Sequence, residues 1–146
     1  MKLLETPTTL SEKVRYLTEG IVQGDSLETP LDPEHQATWQ RVLNTLAVWK
    51  QDPHELEDEG VEAPVPSAVS LASAVASLMR SRQIEPPGTV VPNGDGGLVF
   101  RWRRGETAWT MEFESDGSID SFLVRSGKLI CRHSLHDDGG DALPRD

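Results

Sequence analysis

Residues 97–133 read GLVFRWRRGETAWTMEFESDGSIDSFLVRSGKLICRH. Apolar and polar side chains alternate through most of this stretch, the period of a strand with one buried face. Three dipeptides ending in glycine interrupt it: Arg104-Gly105, Asp116-Gly117 and Ser126-Gly127. Glycine accepts the positive φ that a two-residue hairpin turn demands. If all three are two-residue turns, counting fixes the pairing, because a slip of one residue sends every side chain to the opposite face. Phe100 then lies opposite Trp109, and Leu98 opposite Met111. Met111 also faces Phe122, Trp109 faces Val124, Val124 meets Leu129 and Phe122 meets Cys131.

On this count one face collects Leu98, Phe100, Trp102, Trp109, Met111, Phe113, Phe122, Val124, Leu129 and Cys131. The other collects Arg101, Arg103, Glu106, Glu112, Glu114, Arg125, Lys128 and Arg132. The spacing predicts a four-stranded antiparallel β-meander with one face in the core. The preceding Asn93–Gly97, NGDGG, reads as the way into the first strand. It lacks the Lys-Ser/Thr of a phosphate-binding P-loop, and no helix follows it as a dinucleotide loop requires.

Before residue 90 the period is near 3.6. Thr9 and Glu12 form a capping box, and Leu10, Val14, Leu17 and Ile21 share a stripe, predicting a helix over about 10–22 that Gly24 stops. Asp32-Pro33 is a helix start, and Trp39, Val42, Leu43 and Leu46 follow at helical spacing to about residue 50. Residues 51–62 hold six acidic side chains and no Lys or Arg, a self-repelling run that reads as an acidic linker. Ser67 then caps an alanine-rich helix whose face is Ala68, Leu71, Ala72, Val75, Leu78 and Met79, ended by the EPPG at 85–88. The expected class is α+β: N-terminal helices plus a four-stranded antiparallel meander packed on the Ala-rich helix. The expected divisions are a helical segment 1–50, a linker 51–63, a helix-plus-meander domain 64–134 and a polar tail 135–146.

The net charge is −10 over 146 residues. Residues 1–66 carry 5 Lys/Arg against 13 Asp/Glu, while residues 67–146 carry 9 against 11. Such acidity repels phosphate backbones, which argues against nucleic acid and suits a basic protein partner. No run of about 18 apolar residues offers a membrane span, and the N-terminus lacks the apolar middle of a signal peptide. The single cysteine, Cys131, excludes an internal disulfide and fits a reducing cytosol, so a cytoplasmic protein is expected.

Few residues suggest chemistry. Cys131, His133, His136 and Asp137 are metal-ligand types, but no second Cys/His pair completes a site. On the count above, Asp120 lies opposite His133, a carboxylate–imidazole pair of general-base type beside which no nucleophile or acid is placed. No catalytic, cofactor-binding or metal-binding residue is therefore assigned, and no cofactor is expected. On the polar face the same count puts Val99, Thr110, Leu123 and Ile130 in one apolar row, bordered by Arg101, Glu112 and Arg132. Those seven residues are the candidate partner-binding surface, with cover by the second helix through Trp39 and Trp49 as the plain alternative.

Residues 62–125 resemble a widespread set of small, uncharacterised bacterial proteins. The shared features are the proline-rich helix start Ala63-Pro64-Val65-Pro66-Ser67, the alanine-rich helix, and Pro92-Asn93-Gly94-Asp95-Gly96-Gly97. Phe100-x-Trp102, then Met111-Glu112-Phe113 with Asp116-Gly117, complete the pattern. Where the set often has Glu before the first strand's tryptophan, this chain has Arg101. The resemblance covers under half of the chain and implies a helix-plus-meander fold and no particular activity. It also implies an accessory role of the toxin–antitoxin or phage-defence kind. The expectation overall is a non-enzymatic protein–protein interaction module, an inhibitor or accessory acting on a protein partner. The alternatives are a small enzyme or ligand binder using Asp120 and His133, and a structural homodimer.

Overall fold

The computed structural model describes residues 12–17, 33–57 and 60–135. Helical segment α1 is described over residues 12–17. The elements that follow are α2 (Pro33–Gln51), α3 (His54–Glu57), α4 (Pro66–Ser81), β1 (Thr89–Pro92), β2 (Leu98–Arg104), β3 (Thr107–Phe113), β4 (Ile119–Arg125) and β5 (Lys128–Leu135). The fold is α+β, with a five-stranded antiparallel sheet in the order β1-β2-β3-β4-β5. One strand more than expected is present. It is β1, TVVP, an edge strand that ends in Pro92, where a missing N–H costs no ladder bond. The caps expected at Thr9 and Asp32, the stripe residues Leu10 and Ile21, and the stop at Gly24 lie outside the described residues.

The three turns decide which side chains face inward, and each differs in kind. In the first, Gly105 has φ +61° and precedes Glu106, the arrangement of a type II′ turn over Gly105-Glu106. Arg104 therefore pairs with Thr107, Phe100 with Met111 and Leu98 with Phe113, where Phe100–Trp109 and Leu98–Met111 were expected. The pairing has moved by an even number, so both strands keep their faces.

The second turn overturns an expectation. The Gly117 N–H donates to Glu114 O at 3.0 Å, and the Glu114 N–H donates to Ser118 O at 2.9 Å. The loop is thus Ser115-Asp116-Gly117, a type I turn closed by a left-handed glycine (φ +94°). The Asp116 carboxylate steadies it, accepting from the Ser118 N–H at 2.9 Å and the Ser118 hydroxyl at 2.6 Å. Three loop residues instead of two rotate β4 by one position. Met111 lies opposite Ser121 and Thr110 opposite Phe122. Leu123, expected on the polar face, is buried at 3 % exposure, while Phe122 and Val124, expected in the core, lie half-buried on the opposite side.

The third turn is the expected two-residue one, Ser126 (φ +51°) and Gly127 (φ +81°), a type I′ pair that sets Arg125 against Lys128 and Val124 against Leu129. A bulge follows immediately and inserts Ile130, so Cys131 lies opposite Leu123, not Phe122. This second one-residue slip cancels the first. Cys131 packs half-buried against the core as anticipated, although its strand partner has changed.

The inner face of the sheet and the helices make one apolar cluster containing Leu17, Trp39, Leu46, Val75, Met79, Phe100, Trp109, Met111 and Leu123. Alanines at 68, 72 and 76 let α4 lie close to its neighbours. Pro66 starts α4 with Val65 as the N-cap, a backbone cap in place of the Ser67 side chain expected there. At the other end Gln83 takes φ +61°, and the Ile84 N–H donates to Met79 O at 3.0 Å, a Schellman closure. The buried Ile84 carbonyl accepts from Trp39 Nε1 at 2.8 Å, which fixes α2 against the end of α4. Toward the β5 edge of the same inner face the Ser121 hydroxyl donates to Leu17 O at 2.7 Å, and the Tyr16 ring meets His133 edge-on at 4.9 Å. Both contacts tie α1 to β4 and β5. Within the acidic stretch 51–62, residues His54–Glu57 form a helical turn, and Leu56 enters the core. No described helix is long and apolar enough to cross a membrane.

Candidate interaction surface

Every described helix packs on the inner face, α2 included, so Trp39 and Trp49 are spent on the core and do not cover the outer face. Register places the outer side chains in three cross-strand rows. The first runs Val91, Val99, Glu112, Asp120, Ser134; the second runs Thr89, Arg101, Thr110, Phe122, Arg132; the third holds Arg103, Ala108, Val124 and Leu129. The single row Val99–Thr110–Leu123–Ile130 expected from sequence is therefore not formed. Val99 faces Glu112, Thr110 faces Phe122, Leu123 points inward, and Ile130 sits in the bulge at 50 % exposure. Arg101, Thr110, Glu112 and Arg132 do share the outer face, joined by Phe122, Val124 and Asp120, which the two-residue reading of Asp116-Gly117 had turned away.

The surface is charge-polarised along the strands. At the end where β2 begins, Asn93 Nδ2 donates to Glu112 Oε2 at 2.9 Å and to Glu114 Oε1 at 3.3 Å. Asn93 is held by its own loop, its Oδ1 accepting from the N–H groups of Asp95 at 2.8 Å and Gly97 at 2.9 Å. Those N–H groups are thereby committed within the loop, which connects β1 to β2. Gly97 is required here: a Cβ would lie 2.1 Å from Phe113 O. Asp120 completes this acidic end, accepting from the Ser134 hydroxyl at 2.6 Å, with Arg132 Nη2 at 3.6 Å. Partial burial, and then the neighbouring Glu112, Asp120 and Asp116, push the Glu114 carboxyl above its usual range.

Toward the other end of the strands the sign reverses. Arg101 and Arg103 are exposed and have no ion-pair partner among the described residues. They line a shallow recess of about 240 Å³ with Glu85, Pro86, Gly88, Thr89 and Trp102. The Arg132 guanidinium lies over the Phe122 ring at 5.3 Å. Thr110 and Phe122 share the row of Arg101 and Arg132, Val124 shares that of Arg103, and Val99 lies buried in the acidic row.

Asp120 and His133 do not form the pair anticipated from sequence. Asp120 is on the outer face opposite Ser134, whereas His133 is opposite Ser121 on the inner face and touches Tyr16. The extra loop residue and the bulge separate them. Among the described residues no group of three His, Cys, Asp or Glu side chains is placed to hold a metal; His136 and Asp137 lie outside that set. A second recess, of about 420 Å³, runs between α2 and the Pro87–Val90 segment and is lined by Thr38, Arg41, Val42 and Thr45. No protein-family model, curated protein or solved structure matches this chain.

Proposed function

We propose that this chain is a non-catalytic protein-interaction module that binds a protein partner through the outer face of its sheet. The observation that supports it is the fate of β3 and β4. Their inner side chains are sealed by helices, while Thr110, Phe122 and Val124 stay half-exposed in the two rows that carry Arg101, Arg132 and Arg103, beside the row of Glu112 and Asp120. Aromatic, β-branched and arginine side chains at a polar-rimmed patch are the composition of a binding surface. An inhibitory or accessory role, of the antitoxin or defence kind, suits a small module with such a face. The acidic stretch 51–62 offers a basic partner a second contact that would speed association and weaken with salt.

The test is quantitative co-purification from the native host with wild type and with the double variant Arg101→Glu, Phe122→Asp. Loss of a captured protein by a variant that still melts cooperatively is expected. Equal capture by both chains would remove the outer face from the account.

A further inference from the structure

We infer that the partner of the outer face is a second copy of this chain, docked sheet to sheet about a two-fold axis. The inference rests on the reading of that face as a binding surface and names its occupant. Charge decides it. Glu112 and Asp120 lie in one row, Arg101 and Arg132 in the next, and Arg103 in the one beyond. A face carrying opposite signs at its two ends complements itself only when one copy is reversed along the strands.

A two-fold axis lying in the interface and crossing the strands produces that reversal. Strand order across the sheet is kept, and direction along the strands is inverted. With the axis between the Glu112 and Thr110 rows, Glu112 of one copy faces the other sheet offset from Arg101 by only one strand spacing, about 4.8 Å, within reach of the two long side chains. Asp120 comes equally near Arg132. An axis parallel to the strands would instead set carboxylates against carboxylates and arginines against arginines, a like-charge juxtaposition that opposes docking. Nearest the axis would lie the half-exposed Thr110 and Phe122 from each copy. The result is a face-to-face β-sandwich with sheets about 10 Å apart.

The size is that of a weak, reversible dimer. Strands about 4.8 Å apart, rising about 3.3 Å per residue, give the sheet roughly 520 Å². An axis half a row from the strand centres leaves about 16 Å of that length overlapped, roughly 400 Å² per copy and 800 Å² for both, in the range of transient interfaces.

The experiment is light scattering and sedimentation of the full chain between about 1 and 100 µM near physiological ionic strength. Wild type is expected to move from monomer to dimer across that range. Arg101→Glu with Arg103→Glu makes both ends acidic, and Glu112→Arg adds basic charge at the acidic end. Each variant alone is expected to self-associate at least tenfold more weakly, and an equimolar mixture is expected to form the mixed dimer. Thr110→Glu, a half-exposed position set against Glu112 of the other copy, is the milder variant should a charge reversal fail to fold, and it too should dissociate the pair. Wild type monomeric at 100 µM overturns the inference, and so does a dimer indifferent to Thr110→Glu and to both charge variants. A monomeric chain that still captures a host protein through Arg101 and Phe122 discards the second copy and leaves the interaction reading standing. Capture that is the same with and without Arg101 and Phe122 discards that reading.

Discussion

The two faces of β3 differ as sharply as two proteins. Trp109, Met111 and Phe113 are at most 1 % exposed, while Ala108, Thr110 and Glu112, interleaved with them, are only half-buried. The inner set packs with the helices and contributes to folding. The outer set carries charges in a polar order and contributes little to the core. Stability and recognition are thus assigned to alternate residues of the same strands, and a substitution should affect one or the other according to parity.

The largest effect expected is on the inner face. Phe100 is fully buried, edge-on to Trp102 at 6.1 Å and to Phe113 at 5.0 Å. Phe100→Ala should cost about 3–5 kcal/mol in denaturant unfolding. Phe122→Ala on the outer face should cost about 1 kcal/mol or less, most of it the lost contact with Arg132. Similar costs for the two would erase the distinction between the faces.

Next is Gly97→Ala, where the added methyl meets a backbone carbonyl that cannot swing aside. A loss of about 2–3 kcal/mol is expected, together with release of Asn93 from Glu112. Amide exchange at Asp95 and Gly97 should accelerate; unchanged protection would mean the loop is not clamped to β3.

A smaller effect is expected at Ser121, a buried hydroxyl that holds α1 to the sheet through Leu17 O. Ser121→Ala should cost about 1 kcal/mol and show first as faster amide exchange within residues 12–17. A stability loss without that local signature would place the role of Ser121 elsewhere.

The smallest concerns Glu114, whose carboxyl titrates above its ordinary range in the folded chain. The folded state then holds the proton more tightly than the unfolded one, so stability is greatest below the unfolded value near 4.5 and falls as pH rises through the folded one. Glu114→Gln should flatten that decline, melting slightly higher than wild type at pH 7 and equally at pH 4. A variant that melts lower at pH 7 would show that the carboxylate's bond to Asn93 outweighs its repulsion by Glu112.

Much of this fold was legible. Val42, Leu46 and Trp39 marked α2, Ala72, Val75 and Met79 marked α4, and β2 and β3 kept the faces their alternation announced. The errors came from counting loop residues. Gly105 and Gly117 each follow a polar residue, yet one opens a two-residue turn and the other closes a three-residue one. Glycine at the last position of Ser115-Asp116-Gly117, with Asp116 to bond Ser118, is the signal that distinguishes them. The Ile130 bulge has no such local mark, since Leu129 and Ile130 are equally apolar. Strand β1 was hidden among Pro86, Pro87 and Pro92 and exists through its pairing with β2. The outer surface was half legible: Arg101, Thr110, Glu112 and Arg132 were placed correctly, but Phe122 and Val124 depended on the second turn.

The central claim is therefore the parity of β4, and two adjacent substitutions test it. Phe122→Asp puts a carboxylate on the open face, and Leu123→Asp puts one in the core. Followed side by side by near-ultraviolet circular dichroism and thermal melting, Phe122→Asp should keep the tertiary signal and a cooperative transition, and Leu123→Asp should lose both. The reverse outcome, a folded Leu123→Asp and an unfolded Phe122→Asp, would contradict the three-residue turn and every outer-face assignment that follows from it.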